Sequence, residues 1–155
     1  MGLSDRIQQE MVLATKNREK ERLSALRMIR SALQNRQIEK RGELTDDEVI
    51  GVLTSLVKKS KESIEQFQKG NRQDLVEKEQ RELQVILSFM PQQMGEEELR
   101  AELQRIINEL GAKGPKELGS VMKAAMERLK GRAEGRLVNQ VAKELLSSRP
   151  LTGGG

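Results

Sequence analysis

The spacing of the apolar residues limits this chain more than any other feature. They recur every three or four positions from one end to the other and never settle into alternation. Val49, Val52, Leu53, Leu56, Ile64 and Phe67 trace one such stripe, which falls on a single side of a 3.6-residue helix. The fold class that follows is all-α. The only aromatics are Phe67 and Phe89, so the cores must be built from Leu, Ile, Val, Ala and Met. Nearly equal apolar and charged fractions, 35% and 34%, are what amphipathic helices require.

Seven helices are predicted. The first is capped by Ser4 and buries Ile7, Met11 and Ala14; the second carries Leu23, Leu26, Ile29 and Leu33 and is stopped by Gly42. Thr45 with Glu48 forms a capping box for a long third helix, and Gly70 and Asn71 serve as stop and cap before a fourth. In FMPQQMG, residues 89–95, Pro91 cannot continue a helix and Gly95 can cap a new one, so a subdomain joint is expected there. Three shorter helices follow, near 96–110, 115–129 and 134–148, with Pro115 at an N1 position. The expected organisation is an N-terminal four-helix subdomain over 1–92, a small three-helix C-terminal subdomain over 93–149, and a disordered tail over 150–155.

Several chemistries lack their residues. Without Cys or His there is no thiolate nucleophile or ligand and no imidazole base, and no cofactor or metal is expected. Gly114, Gly119 and Ser120 have phosphate-loop spacing but lack the Lys that such a loop needs. The acidic clusters Asp46, Asp47, Glu48 and Glu96, Glu97, Glu98 fall in first helical turns, where carboxylates complement the helix dipole. No run of 18 apolar residues is present, and MGLSDR lacks an apolar signal core, so a cytoplasmic protein without a membrane partner is expected.

Charge is concentrated toward the end of the chain. Residues 111–149 hold nine Lys or Arg against four Glu, and a second basic zone over 16–41 holds nine against three. Within the first of these, GRAEG places Gly131 and Gly135 four apart beside Lys130, Arg132 and Arg136, at the handover between the last two helices. One reading is a phosphate cradle, with glycines opening backbone N–H groups to an anion at a helix N-terminus. The other makes Gly131 a helix-ending residue, Gly135 a packing residue and the cations a solvated face. Helical spacing puts Lys116, Gly119, Ser120, Lys123, Glu127 and Lys130 on one polar face and Arg136, Asn139, Gln140 and Lys143 on the next.

GSVMKAAMERLKGRAEGRLVNQVAKELL, residues 119–146, resembles the C-terminal helical domain of the B subunit of glutamyl/aspartyl-tRNA amidotransferase. With KERLSALRMIRSALQN (20–35) and LSFMPQQM (87–94), nearly the whole chain resembles the free-standing YqeY proteins. That resemblance implies a two-part helical fold and a link to tRNA-dependent amidation. Its partners would be tRNA and an amidotransferase or aminoacyl-tRNA synthetase. By position it places tRNA contact on Lys123, Lys130, Arg132, Arg136 and Asn139. Ser120 stands where the family often has Lys, which removes a cation, and Glu134 where Asp is common, which keeps a carboxylate. The family also attracts the label of a carbon-nitrogen ligase with glutamine as amido-N-donor. No catalytic residue is assigned here, because Ser147 and Ser148 lie at a helix end without an activating base. The expected site is RNA-binding: Lys116, Lys123, Lys130, Gly131, Arg132, Gly135, Arg136, Asn139 and Lys143. A protein-interaction bundle, and amidotransfer only with partner subunits, are the alternatives.

Overall fold

The computed structural model describes residues 2–148. Seven α-helices and one short 3-10 helix, and no strand, occur among them. They are α1 (Leu3–Lys16), α2 (Lys20–Lys40), α3 (Asp46–Lys69), α4 (Gln73–Leu87), α5 (Glu96–Leu110), the 3-10 helix Pro115–Glu117, α6 (Leu118–Arg128) and α7 (Gly135–Ser147). The tail over 150–155 lies outside the described residues.

The chain divides into two compact units between Pro91 and Gln92. In the first, α1 packs on α2 and α3 on α4, and α2 also touches α3 and α4. Leu26, Ile29, Val49, Leu53 and Ile86 are completely buried there. In the second, α5, α6 and α7 pack pairwise around Leu99, Leu103, Ile106, Val121, Ala125 and Val138. Each fully buried aliphatic side chain contributes about 1.5–3 kcal/mol, and the stripes recognisable in the sequence supply both cores.

Tertiary fit moves several helix ends away from their expected residues. Gly2, not Ser4, is the N-cap of α1, and Asp46 at the start of α3 accepts the Leu3 amide at 3.0 Å. Ser4 is left inside the first turn, where its hydroxyl is not needed. Arg41, not Gly42, takes the left-handed conformation that closes α2 (φ 63), because it is the residue directly after the last helical one. Asn71 is likewise left-handed (φ 55), and Arg72 stands at the N-cap of α4. The Thr45 capping box forms as the sequence requires: Glu48 N donates to Thr45 Oγ1 at 3.2 Å and Thr45 N to Glu48 Oε1 at 3.0 Å. Lys40 Nζ also donates to Glu48, and it holds that carboxyl down to about 2. The sixth helix begins as a 3-10 turn with Pro115 at its first position.

Helix α4 ends at Leu87, and Gly95 is the N-cap of α5. Before the division, Arg6 sits 5.2 Å over the buried Phe89 ring and donates to the Ser88 carbonyl at 3.1 Å, which satisfies the exposed end of α4.

Candidate nucleic-acid interface

The two glycines of GRAEG have different roles. Leu129 N donates to Ala125 O at 2.8 Å and Arg132 N to Leu129 O at 2.9 Å, and the buried Gly131 between them has φ 77. Only a residue without Cβ enters that region cheaply, so Gly131 is required by the turn itself. Gly135 is the first residue of α7, and a Cβ built there would meet only Met126 Cε, at an ordinary 3.7 Å. The local backbone does not demand a glycine at 135.

Around this turn the chain fastens its own segment 92–94. Met94 N donates to Arg132 O at 2.9 Å, and Gln93 Nε2 donates to Gly131 O at 2.6 Å. Arg132 Nε donates to Gln92 O at 3.1 Å, while its Nη2 pairs with Glu98 at 3.2 Å. The guanidinium expected to hold a phosphate is occupied by the protein, so Arg132 does not join the other cations. Glu134 stands at the N-cap of α7, which places a carboxylate at the helix end where an anion would approach.

The remaining charges are sorted by ion pairs that fix the rotation of each helix. Arg128 on α6 pairs with Glu109 on α5, and Arg100 on α5 pairs with Glu96 and with Glu144 on α7. Hydrogen bonds from these guanidiniums hold Glu109 and Glu144 below the usual carboxylate range, so the pairs stay charged and mutually neutralised. These contacts turn one edge of α6 and one edge of α7 toward α5. At about 100° per residue, Lys123 lies about 140° around α6 from Arg128. Arg136, Asn139 and Lys143 fall within about 60° of one another on α7, on the side of Glu144 that leans toward α6.

The other edges of the two helices meet where Met126 approaches Gly135. Since the 3-10 turn Pro115–Glu117 touches both α6 and α7, the pair runs antiparallel. Lys130 and Arg136 therefore lie at one end of its outward face, Lys123 and Asn139 midway, and Lys116 and Lys143 at the far end. All five cations are exposed and none has an ion pair among the described residues. Helical geometry thus places Lys116, Lys123, Lys130, Arg136, Asn139 and Lys143 on the outward side of the pair, with Glu127 among the lysines of α6, and leaves Gly131 and Arg132 in the turn's internal bonding. Sequence spacing could not separate Arg132 from its neighbours, because its partners Gln92 and Glu98 lie 40 and 34 positions away.

Four of the six clustered acids are likewise committed to structure: Asp46 to Leu3, Glu48 to Thr45 and Lys40, Glu96 to Arg100 and Glu98 to Arg132. Among the described residues no group of three or more acidic side chains is arranged to hold a metal ion, and no helix is long and apolar enough to cross a membrane.

The family model described as Yqey-like protein matches residues 4–146. The chain is 30% identical over 130 residues to Altered inheritance of mitochondria protein 41, mitochondrial, of Pyrenophora tritici-repentis, a match that covers 83% of this chain and 71% of that protein. It is 33% identical over 97 residues to the protein of the same name from Lachancea thermotolerans, covering 61% of this chain and 52% of the relative. An uncharacterized protein of Schizosaccharomyces pombe is 34% identical over 86 residues, covering 56% and 70%. These findings correct the cytoplasmic expectation, because relatives of this chain are named as mitochondrial. The residues MGLSDR carry no information that overrides them.

Proposed function

The chain belongs to the Yqey-like protein family, and from that membership we propose that it is a noncatalytic tRNA-binding module, associated with an amidotransferase or an aminoacyl-tRNA synthetase. In this reading the three helices after the division form a subdomain that grips the RNA, and the four before it form a second subdomain. The observation that carries it is the segregation of charge on the α6 and α7 pair. Glu144 of α7 is spent on Arg100, while Lys116, Lys123, Lys130, Arg136 and Lys143 share the outward face without ion pairs among the described residues and outnumber Glu127, the exposed acid that stands among the lysines of α6. Phosphate binding by such a row needs no base stacking, which agrees with the lack of exposed aromatic platforms.

Replacing Lys123, Lys130 and Arg136 together by Ala tests it. tRNA binding should weaken for all sequences, and the log-log salt slope should fall by roughly 0.9 for each phosphate that is no longer neutralised, as for a duplex. Parent affinity and slope in that variant would refute the reading. The protein-interaction reading has its own support in Val12 and Leu13 of α1, which are 57% and 50% exposed. It would take over if tRNA failed to bind while a protein partner was retained. Amidotransfer in a complex would be shown by glutamine-dependent ammonia release with partner subunits and none from the chain alone.

A further inference from the structure

We infer that α2 carries a second polyanion-binding face, on the first unit, fitted to the phosphate backbone of a structured RNA. From residue 22 to residue 38 the chain has no Asp or Glu. The charges at the edges of α2 are spent on neighbouring helices: Arg22 on Glu10 of α1, Glu21 on Arg81 of α4, and Arg36 and Lys40 on Glu48 of α3. Those pairs fix the rotation of α2, with Ala25, Leu26, Ile29 and Leu33 turned inward. Lys20, Arg27 and Gln34 are then left seven residues apart along the outward side, and Arg30 flanks them. All four are exposed, and none of the three cations has an ion pair among the described residues.

The rise of a helix puts successive members of this row about 10 Å apart. Exposed Ser24, Ser31 and Asn35 lie on the same side of the helix as the cations and add hydroxyl and amide donors. Cations interleaved with short polar donors are the equipment for binding phosphate and sugar. A membrane surface is a poorer fit, because only Ile38 and Met28 project as large apolar groups from α2, at 74% and 37% exposure, too few to bury an apolar face in lipid. The choice of RNA over an acidic protein rests on the proposed tRNA reading, although the face itself does not depend on it.

The test uses the whole chain and bulk tRNA. Lys20→Gln, Arg27→Gln and Arg30→Gln together should lower tRNA affinity about tenfold and reduce the log-log salt slope by roughly 2.7, because three phosphates are no longer neutralised. Helical content should hold, since Gln is a good helix former and the sites are exposed. Returning Arg27 and Arg30 as Lys should restore most of the affinity, because point charges suffice at a phosphate backbone. Parent affinity and slope in the Gln variant would overturn the inference. If the Lys123, Lys130 and Arg136 variant still bound tRNA poorly, the proposed function would survive that failure. Weakened binding in the α2 variant alone would support this inference and refute the tail reading. Binding to phosphatidylserine vesicles that falls in the α2 variant, with tRNA binding unchanged, would also overturn it in favour of a lipid surface.

Discussion

Replacing Arg132 by Ala separates a structural cation from a ligand-binding one. In the folded chain Arg132 makes one charge-assisted hydrogen bond, to the Gln92 carbonyl, and one ion pair, to Glu98, with its side chain 36% exposed and that of Glu98 55% exposed. Water can replace both partners when the guanidinium is removed, so the cost sits at the low end for charged interactions. About 1 kcal/mol for the carbonyl bond and about 0.5 kcal/mol for the exposed pair give a cost near 1.5 kcal/mol. For a unit of this size that corresponds to a Tm lower by about 6–12 °C, followed by far-ultraviolet circular dichroism because the chain has no Trp or Tyr. Arg132→Lys should recover little, since an ammonium cannot reproduce the fork that serves Gln92 and Glu98 together. tRNA affinity of folded Arg132→Ala should stay near that of the parent. An unchanged Tm, with tRNA binding weakened as far as by the joint replacement of Lys123, Lys130 and Arg136, would refute the reasoning.

Three further outcomes follow from local geometry. Gly131→Ala should destabilise by about 1 kcal/mol because φ is 77 there, whereas Gly135→Ala should be neutral or slightly stabilising, and paired denaturation curves compare them. Ser60 is buried in α3 and its hydroxyl has no hydrogen-bond partner among the described residues, so Ser60→Ala should raise stability by about 1 kcal/mol; a fall in stability in urea titration would contradict this. Glu48 is held at about 2 by Lys40, so its contribution is full above its ordinary value of 4.5 and is lost as pH falls from 4.5 toward 2. Glu48→Gln should therefore flatten that part of the stability profile.

Helices were legible in this sequence because burial repeats: the positions of Ile7, Met11 and Ala14, or of Val138, Val141 and Ala142, leave one rotation that hides them all. Helix ends were less legible. Arg41 and Asn71 are left-handed while Gly42 and Gly70 beside them are not, because the turn places its strained residue by chain path. The cation row over 116–143 was legible as spacing. The occupation of Arg132 was not, because nothing local announces that carbonyls and a carboxylate from residues 92–98 will converge on it.

The Asp46 carboxylate that receives the Leu3 amide has a kinetic consequence. Most of the packing in the first unit joins neighbouring helices, but this bond closes a loop of 43 residues. During synthesis α1 and α2 emerge before Asp46 exists, so this contact can form only once α3 begins. Interactions of such long range tend to form after the folding barrier, since loop closure must precede them. Removing this carboxylate would then show itself as faster unfolding with an unaltered folding rate, so the first turn of α1 is set to be the last part of its unit to close and the first to open.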